Sequence, residues 1–183
     1  MARLYLVRHG RAEAGFGDSI DPPLDSTGIA QAREVATHLS PLGPLAILTS
    51  PLARARQTAE PLARLWNRDP LVLSAVAEIP APTDELQERL QWLRTIMEGS
   101  WRDASPSLGE WRDYAIKALL SQKTYAVIFT HFIAINVAVG AAIHDERVVV
   151  FSPANCSVTI IETQRGVLEL IEMGAQAPLT RVN

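Results

Sequence analysis

The chain has 183 residues, of which 48% are hydrophobic and 20% charged, a composition typical of a globular protein with a sizeable core. Its formal net charge of −3 argues against general nucleic-acid binding, and no apolar run approaches the roughly 20 residues that span a bilayer. A single cysteine excludes an internal disulfide, and Arg3, Arg8 and Arg11 interrupt any secretory signal, so we expect a cytoplasmic protein.

The first half of the chain alternates predicted strands with predicted helices. A buried strand is expected at residues 4–7, a loop at 15–23, a helix at 28–39 and a second strand at 45–50. The helix after the SPLAR turn carries Pro61, which predicts either a kink or a start near Thr58. Residues 70–79 are predicted to be extended, so that Glu78 stands at the end of a third strand.

The second half continues this alternation and ends in strands. Thr83 is the predicted N-cap of a helix, and a further helix is expected at about 108–120. A core strand at 125–130 and a buried helix at 132–143 come next, followed by strands at 148–152, 157–163 and 167–174. The last two form a predicted hairpin at 164–166. We therefore expect one α/β domain over residues 1–183, a three-layer α/β/α sandwich with a mixed, mainly parallel sheet.

Polar residues follow several predicted strands at the point where each strand ends. Ligands of such sheets bind outside the carboxyl ends of the parallel strands, so these residues are expected to meet there. The predicted site consists of Arg8, His9 and Gly10 after the first strand, Arg54 after the second, Glu78, and His131 followed by Phe132.

Two arginines and two histidines facing one point predict a phosphate pocket. Guanidinium groups match phosphate oxygens in a bidentate way, and nearby arginines lower the pKa of a histidine and keep its nitrogen free for attack. Glu78 is the expected proton donor and Gly10 lets the main chain approach the ligand, while the amides at the start of the next helix are expected to face the anion. We predict no metal site and no cofactor, since the arginines neutralise the phosphate charge.

Four segments of the chain, in order, carry a resemblance to a known family. RHG (8–10), DPPLDSTGIAQA (21–32), SPLARARQTAE (50–60) and VIFTH (127–131) together resemble the histidine phosphatase superfamily, which has the phosphoglycerate mutase-like fold. The resemblance implies that His9 is the phosphorylated nucleophile, that Arg8, Arg54 and His131 grip the phosphoryl group, and that Glu78 is the proton donor.

Several alternatives stay open at this point. Asp84 and Glu85 compete with Glu78 as proton donor, although they suit a helix N-terminus better. A phosphomonoesterase is favoured over a phosphoglycerate mutase, because the basic residues between Glu78 and His131 are scattered and Phe132 adds an apolar wall. A protein phosphohistidine phosphatase and a catalytically silent phosphate-binding protein are the other hypotheses. The substrate is thus a small phosphorylated molecule or a phosphoprotein, with no nucleic acid or membrane partner expected and the oligomeric state left open.

Overall fold

The computed structural model describes residues 1–177, within which six strands and five α-helices are found. The strands are β1 (Ala2–Arg8), β2 (Ala46–Thr49), β3 (Leu71–Val72), β4 (Ala126–Thr130), β5 (Val158–Gln164) and β6 (Val167–Glu172). The helices are α1 (Ser26–Leu39), α2 (Ala53–Trp66), α3 (Leu86–Met97), α4 (Pro106–Leu120) and α5 (Phe132–Ile143). In this part of the chain no helix combines the length and the apolar content needed to cross a membrane.

The six strands form one sheet in the order β3-β2-β4-β1-β5-β6. The first four of these run parallel to one another, whereas β5 pairs antiparallel with both β1 and β6. The predicted mixed, mainly parallel sheet is therefore confirmed. So is the final hairpin, whose two turn residues, Arg165 and Gly166, both adopt positive φ as its tight turn requires.

Helices cover both faces of the sheet. Successive residues of β1 point to opposite faces, and Leu4 and Leu6 join a core cluster that includes residues of α4 and α5. Tyr5 and Val7 join a second cluster with residues of α1 and α2. This arrangement confirms the predicted three-layer sandwich. A third apolar cluster lies beyond the sheet and joins Phe16 and Ile79 to residues of α3, α4 and α5.

The strand predicted at residues 148–152 is wrong. The segment lies outside the sheet, and the side chain of Asn136 in α5 takes the place of a neighbouring strand. Its Oδ1 accepts the amide hydrogens of Val150 (2.8 Å) and Phe151 (3.1 Å). A buried side-chain amide thus satisfies backbone groups that a sheet would otherwise pair.

Three element boundaries also differ from expectation. Helix α2 begins at Ala53, whose amide donates a hydrogen bond to the Asp21 carboxylate that caps the helix. The helix continues through Pro61, so the predicted start near Thr58 is wrong. The N-cap of α3 is Glu85 rather than Thr83. Pairing of β3 stops at Val72 because β2, its neighbour in the sheet within residues 1–177, ends at Thr49. A 3₁₀ turn (Ser74–Val76) follows, so Glu78 does not end a strand.

Candidate active site

The structure brings five predicted residues together at the carboxyl edge of the parallel strands. His9 follows β1, and His131 follows β4; their ring centroids are 5.1 Å apart. Arg54, in the first turn of α2, contacts His9 directly. Arg8 and Glu78 complete the group, and electrostatic interactions couple them both to Arg54.

Hydrogen bonds determine which nitrogen of His9 carries the proton. Nδ1 lies 2.8 Å from the carbonyl oxygen of Gly10, and a carbonyl oxygen only accepts, so Nδ1 is the donor. Nε2 of the neutral ring then has a lone pair, which accepts a hydrogen bond from Nε of Arg54 at 3.2 Å. Nε2 is therefore the nucleophilic nitrogen of this ring, and it faces a cation.

Arg54 is oriented by the loop that precedes α1. Its Nη1 forms an ion pair with Asp21 at 3.5 Å, and the same carboxylate caps α2. Nη1 is buried and makes no hydrogen bond within residues 1–177, and the same holds for Nδ1 of His131. Two buried donor-capable atoms near His9 are thus available to an anion.

Arg8 is held from two directions. Its Nη1 donates to the carbonyl oxygen of Pro153 at 2.8 Å, and its guanidinium lies over the ring of Phe132 at 5.1 Å. Phe132 is buried in the third apolar cluster. The structure therefore gives Phe132 a contact with Arg8, while its expected role as a wall of the substrate pocket stays a prediction.

His131 is positioned by Ser50, which follows β2. The Nε2 atom of His131 lies 2.7 Å from Oγ of Ser50, and that oxygen also accepts the amide hydrogen of Leu52. His131 is therefore hydrogen-bonded to the turn that precedes α2, the helix that carries Arg54.

Glu78 lies at the N-terminus of α5. Its Oε1 accepts the amides of Ile79 (3.0 Å) and Ile133 (3.1 Å), and its Oε2 lies 3.3 Å from the latter nitrogen. The carboxylate thus occupies the Ile133 amide, so the expectation that helix amides face the ligand is wrong for this amide. Asp84, with a side chain 91% exposed, and the exposed Glu85 lie outside this arrangement, so the geometry favours Glu78 among the three carboxylates.

Burial and charge shift several pKa values in this group. Burial, followed by the positive charges of Arg54 and Arg8, holds the pKa of His9 well below its usual 6.5. The pKa of His131 is also well below 6.5, because of burial and then of His9 and the arginines. Burial raises the pKa of Glu78 above 4.5 and lowers that of Arg8 to about 10. Both histidines are thus neutral at pH 7.

Gly10 makes a packing contact that the sequence did not predict, while its expected role in letting the main chain approach a ligand stays a prediction. A Cβ atom at Gly10 would lie 2.6 Å from the carbonyl oxygen of Gly28, so the glycine allows close packing of this loop on α1. Its amide donates to Oγ1 of Thr58 at 3.0 Å. The close approach is thus between two segments of the chain.

Four residues around the site were not among the predicted site residues, namely Ser50, Thr58, Arg89 and Asn155. Thr58 lies one helical turn after Arg54, a spacing that could have indicated it. Arg89 is one of the scattered basic residues between Glu78 and His131, yet it is only 8% exposed and lies over the ring of Phe16 at 4.4 Å. Its position three residues after Leu86 and four before Leu93 places it on the apolar face of α3. Burial lowers the pKa of Arg54, and the positive charge of Arg89 adds a smaller effect in the same direction.

Comparison with known proteins agrees with this geometry. The sequence model of the histidine phosphatase superfamily (branch 1) matches residues 4–176. The chain belongs to the histidine phosphatase superfamily. A probable phosphoglycerate mutase, GpmB, of Escherichia coli is 31% identical over 155 residues, which cover 74% of this chain and 72% of the relative.

Solved structures of superfamily members share the fold. A mycobacterial glucosyl-3-phosphoglycerate phosphatase in complex with VO3 aligns with a TM-score of 0.72 at 18% identity, over 96% of this chain and 100% of that one. A phosphoserine phosphatase of Entamoeba histolytica in complex with 3-phosphoglyceric acid aligns with a TM-score of 0.73 at 23% identity, over 96% and 98%. The expected family and the expected phosphoglycerate mutase-like fold are confirmed.

Proposed function

We propose that this protein is a metal-independent phosphatase that hydrolyses phosphomonoesters through a phosphohistidine intermediate, with residues 1–183 as its single catalytic domain. The observation that carries the proposal is the state of His9, whose Nδ1 donates to a carbonyl oxygen and whose unprotonated Nε2 accepts a hydrogen bond from Nε of Arg54. Membership of the histidine phosphatase superfamily supports a phosphoric monoester hydrolase. A cytoplasmic location remains part of the proposal.

In the first step Nε2 of His9 attacks phosphorus. The bond from phosphorus to the ester oxygen breaks, and the electron pair leaves with that oxygen, which takes a proton from Glu78. Arg8, Arg54 and His131 hold the three remaining phosphoryl oxygens. In the second step Glu78 removes a proton from water, the water oxygen attacks phosphorus, and the bond from phosphorus to Nε2 breaks to release phosphate.

The charges near His9 suit this reaction without a metal ion. Two buried guanidinium groups offset the charge of a phosphate dianion, and they need no reorganisation as the transition state forms. The raised pKa of Glu78 favours a protonated carboxyl, as a general acid requires.

The proposal is tested by trapping the intermediate. Brief mixing with a substrate labelled in its phosphoryl group should leave label on the protein that is lost in acid and survives base, as expected of a phosphoramidate. His9→Gln should abolish both label and turnover, whereas replacement of the exposed His38 by Gln, the matched control, should leave both intact. Turnover that persists in His9→Gln would overturn the assignment of the nucleophile.

A phosphoglycerate mutase is the second candidate, and Arg89 favours it. A mutase must hold a second anionic end of its substrate, and Arg89 is a buried cation that interacts with Arg54. The E. coli relative is also named a probable mutase. The two solved neighbours, in contrast, are named phosphatases of small phosphorylated substrates, glucosyl-3-phosphoglycerate and phosphoserine.

A direct assay separates the two candidates. The enzyme is primed with the bisphosphate and incubated with 3-phosphoglycerate, and the formation of the 2-isomer is compared with the release of phosphate. We expect phosphate release to be faster, because a hydrolase admits water to the phosphoenzyme whereas a mutase excludes it. Faster isomer formation would establish the mutase instead.

A further inference from the structure

The peptide group between His9 and Gly10 is held on both of its sides. The amide of Gly10 donates to Oγ1 of Thr58 at 3.0 Å, and the carbonyl oxygen of His9 accepts from Nδ2 of Asn155 at 2.9 Å. Thr58 belongs to α2, whereas Asn155 stands in the segment before β5. Two distant parts of the chain thus anchor the same peptide plane.

The hydroxyl of Thr58 has a fixed direction. It donates to the carbonyl oxygen of Arg54 at 2.7 Å, one turn earlier in α2, and so its single proton is already used. Towards Gly10 the oxygen acts only as an acceptor. Thr58 is fully buried, which leaves no solvent to compete for this bond.

Asn155 is held beside β1 by its own backbone. The amide of the next residue, Cys156, donates to the carbonyl oxygen of Arg8 at 2.9 Å, and the carbonyl oxygen of Ser157 accepts from the amide of Arg8 at 3.3 Å. Cys156 adopts φ +55°, a left-handed conformation that side chains other than glycine rarely take. The chain therefore turns sharply at the point where Asn155 meets His9.

This anchoring determines where the imidazole of His9 is held. The ring donates through Nδ1 to the carbonyl oxygen of Gly10, immediately after the anchored peptide. Glycine has more backbone freedom than any other residue, so an unanchored Gly10 carbonyl would change direction easily. A change in that direction would move the ring and Nε2 with it.

We propose that Thr58 and Asn155 are positioning residues that clamp the His9–Gly10 peptide and thereby fix the tautomer and direction of the His9 imidazole. The inference rests on the proposed function, in which Nε2 of His9 is the nucleophile. Neither residue touches the phosphoryl group, and both act through His9.

The clamp is tested with Asn155→Ala and Thr58→Val. Thr58→Ser, which keeps the hydroxyl, is the matched control for α2. Ser157→Ala is the control for the other segment, because that buried hydroxyl makes no hydrogen bond within residues 1–177. Two quantities are measured, the kinetics with p-nitrophenyl phosphate and the ¹⁵N chemical shifts of the His9 ring, assigned by their loss in His9→Gln.

We expect each clamp variant to lower kcat by about 10- to 100-fold, as small displacements of a reacting group do, with KM changed by less than about threefold. The ¹⁵N shifts should move from the Nδ1–H form towards a mixture of tautomers. The double variant should lose less than the product of the single losses, since either change releases the same peptide. Both controls should keep wild-type kinetics and shifts.

Unchanged ring shifts in both clamp variants would overturn the inference, as would a rise in KM at constant kcat. The shifts do not depend on turnover, so they decide the clamp even if the wild-type protein forms no phosphohistidine and the proposed function fails. Thr58→Val changes α2 and Asn155→Ala changes the segment before β5. If one of these variants does not fold, the ring shifts of the other still test the inference.

Discussion

The two buried histidines predict a loss of stability on acidification. Both have pKa values well below 6.5 in the folded protein, whereas an unfolded histidine titrates near 6.5. The unfolded state therefore binds more protons below that value, and the free energy of unfolding falls as the pH falls. At about pH 5.5, one unit below the unfolded pKa, each histidine removes roughly 1 kcal/mol and the two together roughly 2 to 3 kcal/mol.

Glu78 acts in the opposite direction. Its pKa is raised in the folded state, so the folded protein takes up that proton first and gains stability as the pH falls through the raised value. The loss caused by the two histidines is therefore partly offset by Glu78 in the wild-type protein. The full loss should be seen in Glu78→Gln.

The assay is urea unfolding, followed by tryptophan fluorescence and circular dichroism, at about pH 7.5 and about pH 5.5. His9→Gln and His131→Gln should each reduce the acid-induced loss by roughly 1 kcal/mol. His38→Gln, an exposed control, should retain it in full. The reasoning is refuted if the loss in His9→Gln and His131→Gln equals that in His38→Gln.

The other predictions concern activity. Glu78→Gln should slow alkyl phosphates about 100-fold but p-nitrophenyl phosphate much less, because nitrophenolate leaves without a proton; equal losses would move the role of acid away from Glu78. A chelator should leave the rate unchanged and vanadate should inhibit, as a mimic of five-coordinate phosphorus; activity lost in chelator and restored by a divalent ion would refute metal independence. Arg89→Met should raise KM about tenfold for phosphate esters with a second anionic group, with kcat/KM for p-nitrophenyl phosphate unchanged; a parallel loss for both substrates would make Arg89 a structural residue.

The parts of this protein that sequence analysis predicts well depend on local patterns. The apolar run before Arg8 and the run before His131 each identify a strand, and strand ends indicate which side chains meet. The segment at 148–152 has the same appearance but lies outside the sheet, because Asn136, distant in sequence, satisfies its amides. The spacing of apolar residues along the segment cannot indicate that a side chain distant in sequence will bond its amides.

The sequence indicated which residues lie near one another at the site, but it did not indicate the contacts that each of them makes. Glu78 was expected at a strand end, yet it follows a 3₁₀ turn and caps α5. Gly10 was expected to let the main chain approach a ligand, and the structure adds a close packing contact with Gly28 that the sequence did not indicate. Both outcomes depend on which backbone groups approach in three dimensions, and residue types at a given spacing do not encode that.

The position of β1 between β4 and β5 has a consequence for the order of folding. Its two neighbours come from the far end of the chain; the amide of Ala2 is bonded to Thr163, 161 positions away. Contacts of such long range make folding slow, because the intervening chain must be ordered before they form. His9 is synthesised long before Asn155, and its ring can acquire its final direction only after nearly the whole sheet has assembled. A ribosome-bound fragment that ends before Asn155 would therefore carry His9 with only the Thr58 side of the anchored peptide in place.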